Sequence, residues 1–154
     1  MPKIYLDSCV IVYLIQGLPE IQMPLLESLV YKKDPTREIC ISDLTRLECR
    51  VGPMQQNDDE LLAQYDSFFS APEIHMLPLD RQVFDRATSL RAASRLRTPD
   101  ALHLAASIVW KCDEFWTNDK RLSPAALNHI RVVTDFISLA KTDLNSDSKT
   151  DNES

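Results

Sequence analysis

The sequence predicts an α/β fold in three layers, with a central, mainly parallel sheet covered by helices on both faces. Three observations carry this reading. Short apolar runs rich in β-branched and aromatic residues, such as KIYL at 3–6 and ICI at 39–41, alternate with longer segments of helical periodicity. The 154 residues, 44% hydrophobic and 26% charged, have the size and balance of one domain with its own core. Acidic residues recur just past the apolar runs, where open α/β sheets gather their ligands.

Lys3–Leu6 reads as the first strand, and Asp7 breaks it into the apolar helical run Val10–Ile15. Residues 21–32 read as a helix around Leu25, Leu26, Leu29 and Val30, with a loop (DPTRE) before the strand Ile39–Ile41. Ser42 suits the cap of a helix that runs through Val51 and stops at Gly52-Pro53. Asp58–Phe69 is amphipathic, with Leu61, Leu62, Tyr65, Phe68 and Phe69 turned inward, and a strand Ile74–Leu77 follows. Asp80 caps a helix through about Arg95. Thr98 caps the next, with Pro99 at its first position, and ALHLAASIVW is apolar nearly all round, which predicts burial. Glu114–Thr117 and Ile130–Val133 supply the last strands. Residues 1–140 thus form one domain, and the polar, acidic tail 141–154 is expected to be disordered.

Composition narrows the function. With 2 Gly in the chain there is no glycine-rich loop to cradle a nucleotide, which disfavours a nucleotide-cofactor enzyme. Asp7 interrupts the apolar start, no small-residue cleavage site follows, and no other run approaches the roughly 20 apolar residues of a membrane span, so a cytoplasmic chain with no membrane partner is expected. Cys9, Cys40, Cys49 and Cys112 lack the paired spacing of a zinc or redox site and read as reduced thiols. The net charge of −6 argues against a general nucleic-acid binder. Half of it, however, comes from Asp143, Asp147, Asp151 and Glu153 against Lys149, all in the tail.

Four carboxylates stand out. Asp7 directly follows a strand, where it is either a helix cap or an acid held by a cation. Glu48 lies near the apolar side of its helix beside Leu44 and Leu47, although a pairing with Arg46 or Arg50 would also account for it. Asp100 opens the buried helix, whose dipole alone would favour it by about 0.3–1 kcal/mol. Asp119 follows another strand, with Thr117 and Asn118 as further oxygen donors, and is otherwise an ordinary turn residue. Their shared placement raises the joint case, and a hard-oxygen set selects Mg²⁺ or Mn²⁺ over zinc. Arg97, Lys120 and Arg121 flank Asp100 and Asp119 as candidate phosphate-binding residues, or as a solvated face with local ion pairs. His103, one turn past Asp100, touches the site or is a satisfied core histidine.

The segments IYLDSCVIVYLI, ISDLTRLECRVG, RTPDALHLAAS and TNDKRL, in this order, resemble those of PIN-domain ribonucleases, particularly the toxins of bacterial VapBC-type toxin–antitoxin pairs. The resemblance spans about residues 3–135. It implies a Mg²⁺- or Mn²⁺-dependent endoribonuclease with Asp7, Glu48, Asp100 and Asp119 as catalytic metal-site acids, supported by Ser8 and Thr117. It also implies an RNA substrate, a cognate antitoxin and a homodimer. Cys9 departs from the Asn, Ser or Thr common there. Rival readings are a non-catalytic interaction module, a housekeeping RNA-processing nuclease, a DNA nuclease of the same fold, and a phosphoaspartyl receiver. The receiver needs paired acids after its first strand, whereas Asp7 is followed by Ser8 and Cys9.

Overall fold

The computed structural model describes residues 2–31, 37–126 and 129–142. Five strands, β1 (Lys3–Leu6), β2 (Glu38–Ile41), β3 (Ile74–Met76), β4 (Glu114–Trp116) and β5 (Arg131–Val133), form one all-parallel sheet in the order β3-β2-β1-β4-β5. Around it lie α1 (Ser8–Gln16), α2 (Pro19–Leu26), α3 (Asp43–Gln55), α4 (Asp59–Phe69), α5 (Arg81–Ala93), α6 (Thr98–Val109) and α7 (Leu122–Ala125). A last helical stretch covers residues 136–142.

Strand alternation sorts the core into two layers. Tyr5, Cys40 and Phe115 point to one face, where Val83, Ala87 and Leu90 of α5 and Ala101, Leu104 and Ala105 of α6 bury them. Ile4, Leu6, Ile39, Ile41 and Trp116 point to the other, against Val10 and Leu14 of α1, Leu25 of α2, Tyr65 and Phe69 of α4, and Phe136. The expected three-layer α/β/α architecture is the one adopted. From β1 the chain builds outward to β3 on one side, then returns to build β4 and β5 on the other. The order therefore reverses between β1 and β4, which opens a crevice beyond their carboxyl ends.

Several boundaries differ from the sequence reading. The helix expected to stop at Gly52-Pro53 runs on to Gln55, although Pro53 has no N–H to give the Cys49 carbonyl. The stop comes instead from Asn57, whose left-handed φ of 52° asparagine tolerates. Thr98 is the first helical residue of α6 rather than its cap, and its hydroxyl accepts Arg91 Nη1 at 2.9 Å instead of a backbone N–H. The helix expected at 21–32 starts at Pro19, since proline fits a first helical position, and passes into a π-helical turn over Glu27–Tyr31; residue 32 lies outside the described residues. α5 ends at Ala93, where Ser94 bonds back to the Leu90 carbonyl at 2.6 Å. The short α7 has no counterpart in the sequence reading. Of the tail expected from 141, residues 141–142 belong to the last helical stretch and the rest lie outside the described residues. Among the described residues no single helix is long and apolar enough to cross a membrane.

Candidate active site

Asp7 stands where β1 ends and α1 begins, so strand pairing fixes its backbone: its N–H donates to the Trp116 carbonyl at 2.9 Å. Its side chain caps α1, with Oδ1 accepting the Ser8 N–H at 2.7 Å. Oδ2 accepts the Thr117 hydroxyl at 2.7 Å, which ties the first strand to the end of the fourth. Burial raises the Asp7 pKa above the ordinary aspartate range. The charge of Glu48 adds to this, while His103, Thr117 and the Ser8 N–H work against it.

Glu48 comes from the second turn of α3 and reaches the same point. Its Oε1 accepts the Ser8 hydroxyl at 2.8 Å and also meets His103 Nε2 in a short contact. Burial opposes the charged form, but His103, Ser8 and Arg97 outweigh it and hold the Glu48 pKa below its usual value. His103 is buried in α6, with Nε2 also 3.9 Å from Asp7 Oδ1. Its other nitrogen, Nδ1, lies 2.7 Å from the hydroxyl of Tyr5, which is itself 2.8 Å from Ser42 Oγ. Tyr5 is buried flat against Phe115, with ring centroids 5.4 Å apart.

Past β4, the Asp119 N–H donates to Thr117 Oγ1 at 3.1 Å, so one buried hydroxyl joins Asp7 to the Asp119 turn. The Asp119 carboxylate is gripped by Arg121, whose Nε donates to Oδ1 at 2.9 Å and to Oδ2 at 3.1 Å. That pairing, helped by Arg97, lowers the Asp119 pKa. Asp100, in the first turn of α6, accepts from Arg97 Nε at 3.3 Å. Both arginines are largely exposed, and Lys120 is exposed on the Asp119 turn. Beside them a cleft of about 350 Å³ is lined by Leu90, Leu96, Arg97, Asp100, Arg121 and Ala125.

The geometry thus joins Asp7, Ser8 and Glu48 directly, and links Asp119 to them through Thr117. Asp100 is tied to Arg97 rather than bonded to another acid, although its charge is felt at Arg121. Among the described residues, no three His, Cys, Asp or Glu side chains already surround a shared metal position. The Asp100 and Asp119 carboxylates are each paired with a guanidinium, of Arg97 and Arg121. The sequence left His103 undecided and did not mark Tyr5 at all. The one available signal was that His103 is the sole ring nitrogen in an otherwise apolar helix, a group that must find a partner when buried.

The profile of the PIN domain family matches residues 4–127. Comparison with curated proteins finds no match. Among solved structures, the chain is similar to the VapBC2 complex of Rickettsia felis bound to promoter DNA, at 17% identity and TM-score 0.69 over 85% of this chain and 97% of that one. It is also similar to DNA-bound VapBC of Salmonella typhimurium, at 20% identity and TM-score 0.65 over 86% and 98% of the two chains. FitAcB of Neisseria gonorrhoeae gives 19% and 0.63 over 84% and 95%. At such identities the likeness speaks for the fold. The family match, by contrast, spans most of the chain and contains β1, α3, α6 and β4, the elements that carry the acids; the chain belongs to the PIN domain family.

Proposed function

We propose that this chain is a Mg²⁺- or Mn²⁺-dependent endoribonuclease and the toxin of a type II toxin–antitoxin pair. The observation that carries the reading is the convergence of Asp7 and Glu48, from a strand end and a separate helix, on Ser8 at the sheet's switch point, Asp7 accepting its backbone N–H and Glu48 its hydroxyl. Asp7 is ionised only against the cost of burial, and a cation would relieve that cost. The donors present are hard oxygens and fit Mg²⁺ or Mn²⁺. Asp7, Glu48, Asp100 and Asp119 would hold the ion, with Ser8 and Thr117 orienting Asp7 and Glu48. When bound, the ion supplies a lowered pKa for attacking water and charge compensation at the phosphodiester. Arg97, Lys120 and Arg121 lie where they can take the flanking RNA phosphates.

A partner protein fits the same face. Leu47, Val51 and Met54 form an exposed apolar stripe along α3, next to Glu48. An antitoxin that covers the stripe and offers a guanidinium to the acids would shut the site. Structural neighbours were solved in complex with antitoxins, which supports an antitoxin here. A homodimer and a cytoplasmic location rest on the sequence reading alone.

One set of observations favours a non-catalytic interaction module: Asp7 is a helix cap, and Asp100 and Asp119 are paired with arginines. Expression of the intact chain separates the two readings. The toxin reading expects growth arrest relieved by the product of an adjacent small gene, and RNA cleavage that chelation stops. The module reading expects neither, and no Mn²⁺ heat in calorimetry.

A further inference from the structure

We propose that His103 is a positioning residue for Glu48, and that Tyr5 and Ser42 set its direction; this deepens the metal-dependent reading above and rests on it. Ser8 already donates to Glu48 Oε1, and a carboxylate oxygen accepts, so His103 Nε2 faces it as the donor. The Tyr5 hydroxyl, which can donate and accept, gives its proton to Nδ1 or receives the N–H there. In the neutral tautomer every group is satisfied in one direction: Ser42 Oγ–H to Tyr5, Tyr5 O–H to Nδ1, and Nε2–H to Glu48.

The anchoring comes from three different elements. Tyr5 is fixed in the central strand by stacking on Phe115 at an interplanar angle of 7°. Ser42 stands at the head of α3 with no exposed surface, and Glu48 lies on the same helix. The imidazole in α6 therefore meets α3 twice, at its cap through Tyr5 and at Glu48 directly. A longer, freely rotating glutamate so held loses its alternative rotamers. Oε1 takes both hydrogen bonds, from Ser8 and His103, and among the described residues none reaches Oε2, which is left for a cation. None of Tyr5, Ser42 or His103 needs to touch metal or RNA for this. Partners of metal-ligating carboxylates behave in this way, and their loss typically costs 10–100-fold in metal affinity.

The test is Mn²⁺ titration of the full chain by calorimetry and electron paramagnetic resonance, alongside urea unfolding of each variant. His103→Leu is expected to weaken Mn²⁺ binding by about 10–100-fold. His103→Gln, whose side-chain amide can still donate toward Glu48, is expected to recover most of that loss. Tyr5→Phe keeps the stacked ring and is expected to give an intermediate loss with a folded chain, which answers the question even if His103→Leu does not fold. Equal Mn²⁺ affinity across folded variants, with changes in stability alone, overturns the positioning role while leaving the nuclease reading intact. Absence of Mn²⁺ binding by the unaltered chain overturns both.

Discussion

Thr117 donates its hydroxyl proton to Asp7 Oδ2 at 2.7 Å while its oxygen accepts the Asp119 N–H at 3.1 Å, so one fully buried group serves acids from two strand ends. Thr117→Val preserves shape and removes both bonds. It leaves a buried carboxylate oxygen and an N–H with fewer partners, which costs about 1–3 kcal/mol per stranded group. Urea unfolding should show a loss of about 2–6 kcal/mol for the two groups together, with an unchanged denaturant slope. A variant as stable as the parent would mean that water replaces the hydroxyl at both acids.

Asp7→Asn should end RNA cleavage and yet stabilise the metal-free protein. The folded pKa of Asp7 is raised, chiefly by burial. Such a group contributes stability below its unfolded pKa and loses that contribution as pH rises through the folded value. At neutral pH the parent therefore carries a buried charge that Asn lacks, while Asn still caps α1. Unfolding in chelator should favour the variant at neutral pH, with the advantage shrinking as pH falls toward the pKa of a free aspartate. A variant less stable at every pH contradicts this.

Arg121→Ala should affect metal and RNA in opposite senses. The guanidinium holds both oxygens of Asp119, where it competes with a divalent ion. Removing it should tighten Mn²⁺ binding several-fold. RNA affinity should fall, and its logarithmic salt slope should become shallower by about one. Binding curves at several ionic strengths decide the second point; a slope that does not move places Arg121 off the RNA path.

Metal should also be visible without any substrate. An ion held only by the folded chain stabilises it by about 2.7 kcal/mol at a hundredfold excess over its dissociation constant. Thermal melts with Mn²⁺ should shift upward accordingly, and chelator should reverse the shift. The Asp7→Asn chain should show little of it.

The architecture was legible because each local signal agreed with the next: KIYL and ICI are short, mostly apolar runs, Asp80 caps its helix, and α6 is apolar nearly all round. Asp7, Asp100 and Asp119 stood out for the same reason, each lying just past a strand or at a helix start, and Glu48 by its place near the apolar side of its helix. What the sequence hides is direction across long separations. ALHLAASIVW shows that His103 is buried, but not that its ring faces Glu48, 55 positions earlier. Ser42 reads as a helix cap from its neighbours and is one, but nothing local shows that its hydroxyl also meets Tyr5 from another element. The four residues of α7 are too few to show a period, and the stop at Asn57 depends on one backbone angle.

The bond between Asp7 and Thr117 closes over 110 positions of chain, and β1 needs both β2 and β4 to be held at the centre of the sheet. Contacts of such span form late and slowly. During translation Asp7 leaves the ribosome before the strand and hydroxyl that secure it, which lie 110 positions later. A chain released before β4 is thus without its working centre, and whatever chemistry the site performs begins only after β4 has been made.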